Sequence, residues 1–338
     1  MTCRRSIMHN RSIIPLLFIF IVWTGCSPRP YGIVDIDSSI QKATRIEGKE
    51  IPSVLGNEPE MIMQLERTPT LYIAFHLPET DTLLFDIRNG KGEKLLRFAR
   101  KGNGPNEYLA PFLRNVREEG QAITFDLMDV ERGRMDSYSY DSAENSLRMV
   151  RSDKLPQDVI PIGQLLRTDR GYFGIQDNVG SDIFTMDGQM ENLQKHPYAY
   201  TQEMTIRESQ LFHTSSCASQ DGKHIALAFM SLPRMDIVSS DGTTEHVYFY
   251  GKRQTVTDAR NEDRYFGYIR CDENYLYVKY LADKQRHLIL KMTWKGTIVK
   301  AFDIDYDLLS FNVIDGILYG LAFSPESGRE VYVHYDVS

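Results

Sequence analysis

The chain has 338 residues, of which 42% are hydrophobic and 11% aromatic, and its formal net charge is −7 at pH 7. This composition is sufficient for a large core and excludes an intrinsically disordered chain. The acidic excess argues against nucleic acid or an anionic membrane face as the main partner.

Residues 1–25 are predicted to be a secretory signal. Arg4, Arg5 and Arg11 precede an apolar run from Ile13 to Trp23. That run is about half the roughly 20 residues needed to span a bilayer, so it favours a signal peptide over a membrane-spanning anchor. Its removal takes away three Arg and no acidic residue, which makes the mature chain more acidic.

The sequence Thr24-Gly25-Cys26 resembles a bacterial lipobox, in which the Cys becomes the lipidated N-terminus. The resemblance implies acylation of Cys26, including palmitate-type chains, and two or more chains hold a protein stably on a membrane. Ser27 follows in place of an acidic residue, which implies the outer membrane, on its periplasmic or cell-surface side. Trp23 departs from the aliphatic residue of the pattern, and the alternative is an ordinary secretion signal with an unmodified Cys.

Residues 26–60 are interpreted as an anchor linker followed by a closing strand. The run YGIVDIDSS at 31–39 alternates well enough to predict a strand, and a second strand is possible in TRIEGKEIPS at 44–53. Neither has a hairpin partner nearby.

Residues 61–338 contain six copies of a four-strand pattern: strand, turn, strand, loop, strand, turn, strand. The first turns fall near residues 69, 120, 170, 222, 273 and 316, and those at 222 and 316 contain Asp-Gly, a strong hairpin signal. A spacing of about 50 residues with four strands each predicts an all-β six-bladed β-propeller. The sixth copy lacks its last strand, so an N-terminal strand is expected to complete that blade and close the ring. A β-sandwich or two smaller β domains is the alternative.

The segment after the first copy, Arg100-Lys101-Gly102-Asn103-Gly104-Pro105-Asn106-Glu107-Tyr108, resembles the G-x-G-P-G-E-[YF] loop of TolB-like six-bladed β-propeller lipoproteins of Gram-negative, gut-type bacteria. Asn106 stands where that family has its third Gly, and Asn tolerates a positive φ. The resemblance covers the mature chain. It implies the fold and the compartment, and it implies no established activity.

A binding surface is expected on the face of the propeller that carries the long loops, because long loops on a rigid scaffold often hold functional residues. The alternative for residues 100–108 is a purely structural turn, with Tyr108 packed inward and Glu107 capping amides. The candidate binding residues on this face are Arg100, Glu107, Tyr108, Asn178, Arg234, Arg264 and Tyr265.

No linear catalytic motif occurs: the sequence lacks G-x-S-x-G, the phosphate-binding G-x-x-x-x-G-K-[ST], H-E-x-x-H and C-x-x-C. The eight His residues are scattered without metal-ligand spacing, so neither a metal nor a cofactor is predicted. In the mature chain Cys217 and Cys271 accompany Cys26, and two buried thiols are favoured over a disulfide.

These observations predict a membrane-anchored, monomeric and non-catalytic binding or scaffolding module for a protein or glycan partner. The alternative is a propeller enzyme, such as a metal-dependent lactonase or a lyase, with its site at the central channel. Such sites draw single residues from distant blades, and the candidates would be Glu107, Asp177, Asn178 and Arg234.

Overall fold

The computed structural model describes residues 31–55, 61–77, 82–160, 162–176, 182–196, 213–251 and 263–338. These residues form six small β-sheets arranged in a ring, which is a six-bladed β-propeller as the sequence predicts. In each blade the first of four consecutive strands lies against the first strands of neighbouring blades, so these first strands surround the central channel. No helix among the described residues is long and apolar enough to cross a membrane.

Blades 1 to 3 hold the strands from Met61 to His196. Blade 1 comprises β4 (Met61–Arg67), β5 (Leu71–Leu77), β6 (Leu83–Asn89), β7 (Lys94–Lys101) and the short β8 (Glu107–Tyr108). Blade 2 comprises β9 (Pro111–Glu119), β10 (Ala122–Asp129), β11 (Arg134–Asp141) and β12 (Ser146–Lys154), followed by a 3-10 helix at Gln157–Val159. Blade 3 comprises β13 (Ile162–Thr168), β14 (Gly171–Gln176), β15 (Ile183–Met186) and β16 (Gln194–His196).

Blades 4 to 6 complete the ring and share their outer edges with the N-terminal segment. Blade 4 comprises β17 (Thr214–Ala218), β18 (His224–Phe229), β19 (Arg234–Ser239) and β20 (Thr244–Tyr250). Blade 5 comprises β21 (Phe266–Cys271), β22 (Tyr275–Tyr280), β23 (His287–Thr293) and β24 (Ile298–Ile304). Blade 6 comprises β25 (Leu308–Ile314), β26 (Ile317–Phe323) and β27 (Glu330–Asp336).

The antiparallel order of the strands gives the ring two faces. The turns from first to second and from third to fourth strands lie on one, called here the tight-turn face. The other connections lie on the long-loop face. The Asp-Gly signal is confirmed at the first turn of blade 6, where Asp315 and Gly316 both have positive φ, of 51° and 75°, between paired Ile314 and Ile317. This conformation matches the right-handed twist of a hairpin.

The hydrophobic core is divided among the blade interfaces. Six clusters of buried apolar side chains are found among the described residues, and each fills the space between two neighbouring blades. Between blades 1 and 2, for example, Phe85 and Phe98 pack against Phe125 and Tyr138. The interfaces therefore hold the blades together from the channel outward.

The N-terminal segment, residues 31–55, runs along the outer edges of blades 4, 5 and 6. Its elements are β1 (Tyr31–Val34), α1 (Ile36–Gln41), β2 (Thr44–Ile46), β3 (Lys49–Glu50) and α2 (Pro52–Leu55). Strands β1 and β2 add in parallel to β20 and β24, whereas β3 pairs antiparallel with β27. The predicted closing strand is thus confirmed, and it is β3.

Part of the first N-terminal prediction is wrong. Beyond Val34 the run predicted as strand turns into α1, because Asp35 caps the helix by accepting a hydrogen bond from the Ser38 amide at 3.2 Å. Ile36 and Ile40, one helical turn apart, bury themselves in the cluster between blades 4 and 5. The apolar spacing fits a short helix better than a longer strand.

A buried ionic cluster joins the end of this segment to blade 1. Arg88, 1% exposed, donates to both carboxylate oxygens of Asp86 and to the main-chain oxygen of Val54 in α2. His76 lies 2.7 Å from Asp86 and is fully buried. Burial raises the pKa of Asp86, but the hydrogen bonds from His76 and Arg88 outweigh it and lower that pKa to about 2.

We expect Arg88→Ala to reduce the free energy of unfolding by about 3 kcal/mol or more, because it leaves the buried carboxylate of Asp86 short of its main partner. Chemical denaturation measures this loss. Arg148→Ala, on the exposed outer strand of blade 2, is the matched control and should change stability by less than about 0.5 kcal/mol. Equal losses in the two variants would contradict a structural role for the cluster.

Candidate functional site: the central channel

Polar side chains on the innermost strands connect each blade to the next around the channel. Each contact joins a side chain of one blade to the main chain of its neighbour. The contacts are Gln64 to the Leu113 oxygen at 3.1 Å, Asn115 to the Arg167 amide at 2.9 Å, Gln164 to the Ser216 amide at 3.0 Å, Ser215 to the Ile269 amide at 3.2 Å and Asn312 to the Arg67 amide at 3.1 Å. Between blades 5 and 6, Lys279 on the second strand donates to the Leu308 oxygen at 2.7 Å.

These contacts surround a cavity of about 550 Å³ that is lined by all six innermost strands. This volume lies within the range of small-molecule sites. Hydrogen bonds between neighbouring blades hold this wall in place. The cavity is therefore a candidate binding site.

Arginine is the dominant charged residue of the lining. Five line the cavity: Arg67, Arg114, Arg117, Arg167 and Arg270. Of the described residues in the lining, Glu66 alone is acidic. The channel is thus locally cationic in a chain whose net charge is −7.

Glu66 is held by three neighbours at the inner wall. It accepts hydrogen bonds from Gln64 at 2.9 Å, from Arg270 at 2.7 Å and from Asn312 at 2.6 Å, which come from blades 1, 5 and 6. Burial acts to lower the pKa of Arg270, but Glu66 and then Tyr268 outweigh it and raise that pKa. This pair therefore bridges blade 5 to blade 1 and leaves no carboxylate oxygen of Glu66 without a donor.

The loop at residues 100–108, a predicted binding element of the long-loop face, lies at the outer rim of blade 1. Its end, β8, pairs in parallel with β7, the fourth strand of its own blade. Glu107 accepts a hydrogen bond from the Gly104 amide at 2.7 Å, and Arg100 donates to Thr82 at 2.9 Å. Asn106 has no positive φ; within this loop that conformation is found at Gly102.

Tyr108 is fully buried between blades 1 and 2, as the structural alternative for residues 100–108 predicts. Its hydroxyl donates to Asp136 at 2.6 Å and lies 2.6 Å from the Tyr138 hydroxyl. Burial and these two hydrogen bonds raise the pKa of Tyr108. The geometry of Tyr108 and Glu107 is thus that of a structural turn, in which Tyr108 packs inward and Glu107 caps a main-chain amide.

Arg234 is also buried, 3% exposed, where a surface position was expected. Its guanidinium donates to both oxygens of Asp236, at 2.7 and 2.6 Å, and lies over the ring of Phe229. The cause is visible in the sequence: the same Arg-Met-Asp triplet begins β11 in blade 2, where Arg134 lies 3.1 Å from Asp136.

Two other predicted binding residues lie together near the long-loop end of β21. Arg264 donates to the Ser231 hydroxyl at 2.9 Å, and the Tyr265 amide donates to the Met230 oxygen at 2.8 Å. Their binding role stays a prediction. Cys26, Asp177 and Asn178 lie outside the described residues.

The cavity arginines could have been found from the sequence. Arg67, Arg117 and Arg167 recur at intervals of 50 residues, the period of the blades, near the ends of the first strands. Repeated residues near the same end of equivalent strands come together in a ring. Inspection of the long loops misses this signal because the arginines lie in regular strands. No group of three or more His, Cys, Asp or Glu side chains suited to a metal occurs among the described residues.

Comparison with solved structures finds the same fold. A putative exported protein from Bacteroides fragilis superposes with a TM-score of 0.55 at 10% identity, covering 91% of this chain and 99% of that chain. A member of the DUF4221 family from Bacteroides vulgatus gives a TM-score of 0.55 at 12% identity, covering 85% of this chain and 94% of the other. No family model and no curated protein matches the sequence. At these identities the likeness shows the fold alone.

The two thiols of the channel wall should differ in reactivity. Both are free: Cys217 is buried, Cys271 is half-buried, and the Cys271 thiol donates to the Ala218 oxygen at 2.9 Å. Burial, and then the neighbouring Cys271, raises the pKa of the Cys217 thiol, which lowers its thiolate fraction.

We therefore expect iodoacetamide to modify Cys271 first in the native protein and Cys217 only after unfolding. Peptide mapping by mass spectrometry measures the order. Failure of both residues to react after unfolding without reductant would reveal a disulfide and contradict the free thiols.

Proposed function

We propose that this protein is an exported, lipid-anchored binding module that holds its ligand in the central channel and catalyses no reaction. The observation that carries the proposal is the cavity of about 550 Å³ to which every blade contributes. A pocket of this volume accommodates a small molecule, or the end of a glycan or peptide chain, rather than a folded domain. The preorganised wall favours affinity, because little ordering is required on binding.

The fixed roles of Glu107, Arg234 and Glu66 favour binding over catalysis. A propeller enzyme would need carboxylates or amides free to meet a substrate or metal. Within the described residues, Glu107 holds the loop at the rim, Arg234 is paired with Asp236, and Glu66 is fully engaged with its neighbours. The charged groups that remain in the cavity are arginines, which bind and orient anions but rarely act as bases.

An envelope location is supported by the apolar segment before Cys26 and by the sequence Thr24-Gly25-Cys26. It is consistent with a structural neighbour that is described as a putative exported protein. The resemblance to TolB-like propeller lipoproteins supports the same compartment. We propose attachment to the outer membrane through acylated Cys26, with the propeller monomeric and either periplasmic or on the cell surface.

Cys26→Ser should move the full-length protein from the membrane fraction to the soluble fraction, because the acyl chains have no other attachment point. Fractionation followed by immunoblotting measures this, with Cys271→Ser as the control that leaves the anchor intact. Retention of the Cys26→Ser protein in the membrane would rule out lipid anchoring at this residue.

Blocking the cavity should abolish ligand binding without preventing folding. Thr214 lines the channel, and its hydroxyl is buried without a hydrogen-bond partner, so Thr214→Trp fills space at little polar cost. Thr44→Trp, at an exposed position on β2 at the rim, is the matched control.

The mature protein would be screened by thermal shift against sugars, sugar acids, phosphorylated sugars and short peptides. A ligand at about 100 times its Kd adds roughly 2.7 kcal/mol of stability. We expect stabilisation of the wild type and of Thr44→Trp and none of Thr214→Trp. A panel without any stabilising member, or stabilisation that survives in Thr214→Trp, would contradict binding in the channel.

A further inference from the structure

Four of the five cavity arginines have no carboxylate partner. Arg270 pairs with Glu66, whereas Arg67, Arg114, Arg117 and Arg167 form no ion pair within the described part of the chain. Three of the four, Arg67, Arg117 and Arg167, each lie within the last three residues of their strand, near the tight-turn end of the channel. Positive charge is therefore concentrated at one end of a confined space.

The contacts that these side chains do make leave their charge uncompensated. The Arg67 guanidinium lies over two rings, 3.9 Å from the centre of Tyr319 and 4.6 Å from that of Tyr72, and its Nε has no hydrogen-bond partner. Arg117 donates to the main-chain oxygen of Arg167 at 3.2 Å. Rings and carbonyl groups orient a guanidinium, but they carry no net negative charge.

Arg114 is more deeply buried than Arg117. Its Nη1 and Nη2 donate to the oxygens of Leu113 and Gly163, while its Nε is buried without a partner. Burial lowers the pKa of Arg114, although Tyr268 and Glu66 act to raise it. Because a guanidinium stays protonated at neutral pH, a buried donor here requires an acceptor from elsewhere.

Glu119 and Asp126 favour the charged form of Arg117, but neither forms an ion pair with it within the described residues. The Asp126 carboxylate accepts hydrogen bonds from Ser137 at 2.6 Å and Asn115 at 2.8 Å. Burial raises the pKa of Asp126, and Arg167 and Arg117 act to lower it. Burial, and then Arg167, lowers the pKa of Arg117, so the two like charges repel each other.

The amide side chains of the wall are already occupied. Asn115, Gln164 and Asn312 each use their oxygen and their NH₂ group in contacts with protein atoms. A neutral, hydroxyl-rich ligand would find few free partners of this kind. The groups that remain available are guanidinium donors.

We infer that the channel binds an anion that carries two or more carboxylate or phosphate groups, gripped by Arg67, Arg114, Arg117 and Arg167. This inference rests on the proposed function, since it names the ligand class of the same cavity. The planar fork of Arg matches carboxylate and phosphate oxygens in pairs, which makes these the strongest hydrogen bonds available here. A single charge would leave most of the four arginines uncompensated.

Because the arginines repel one another in the unbound protein, the double variant Arg117→Gln/Arg167→Gln should be as stable as the wild type or more stable. Arg148→Gln on β12 removes the same charge from an exposed position outside the channel and is the control. A fall in melting temperature of the double variant well beyond that of the control would show that the arginines are structural, and would overturn the inference.

The binding test uses isothermal titration of the mature protein with four probes. Citrate, pyrophosphate and trigalacturonate carry several acidic groups on different frameworks, and maltotriose is the neutral comparison. We expect one or more of the anions to bind and maltotriose not to bind. Binding of pyrophosphate alone would identify phosphate as the source of the charge, and binding of citrate or trigalacturonate alone would identify carboxylate.

Substitutions of the cavity residues then show where the anion binds. Arg167→Gln and Arg67→Gln should each weaken binding about tenfold or more, since each removes a charge-assisted hydrogen bond. Arg148→Gln should leave it unchanged, and Arg167→Lys should recover part of the loss because it keeps the charge without the fork. Thr214→Trp should abolish binding.

If none of the three anions binds, or if their binding persists in Thr214→Trp, the anion site in the channel is overturned. Maltotriose binding that Thr214→Trp abolishes and Arg167→Gln leaves intact would overturn the anionic class while the channel remains the binding site.

Discussion

Each blade of this propeller touches the next through a hydrogen bond between a polar side chain and the neighbouring main chain beside the channel. Asn115 to the Arg167 amide and Asn312 to the Arg67 amide are two of these contacts. A ring of separate sheets has no continuous backbone ladder between sheets, so its inner polar groups need such partners to remain buried. The hydrophobic clusters supply the larger part of the cohesion further out, between the blades. The inner contacts fix the register of the blades, and so the shape of the cavity.

The same contacts determine the chemistry that the channel can offer. The Asn and Gln side chains of the wall already form hydrogen bonds between blades. Glu66 accepts hydrogen bonds from residues of blades 1, 5 and 6. Arginine has more donors than the wall can use, because it carries five N–H groups in a fixed fork. The donors that remain available to a ligand are therefore cationic guanidinium groups, although the chain as a whole is acidic. A local field of this kind attracts anions into a confined, partly dehydrated space, where charge interactions are stronger than in bulk water.

Repetition explains how much could be predicted from the sequence. Turn signals such as Asp315-Gly316 recur near every 50 residues, so the number of blades and the incomplete last blade follow from spacing alone. The positions of Tyr108 and Arg234 did not follow, because an Arg or Tyr at a strand end looks the same whether it faces solvent or a buried Asp. Asp136, the partner of Tyr108, lies on a strand of the next blade, and only the fold brings these two residues together. Asp236 lies two residues from Arg234 on β19, so the Arg-Met-Asp triplet itself carries the signal of that pair. The cavity arginines were partly predictable. Their 50-residue interval shows that Arg67, Arg117 and Arg167 occupy equivalent positions in successive blades, but it does not show that they lack carboxylate partners.

The path of the N-terminal segment relates the cavity to the proposed anchor. Strand β1 runs parallel to β20, a fourth strand, so the chain joins the rim of blade 4 from the tight-turn side. Cys26 precedes Tyr31 by five residues, and a fully extended chain of that length spans at most about 18 Å. An acylated Cys26 would therefore hold the rim of blade 4 close to the membrane surface. The arginine-lined end of the channel lies on that same tight-turn side, whereas the long-loop face points along the ring axis in the opposite direction. The arginine-lined end of the channel would then lie on the membrane side of the ring.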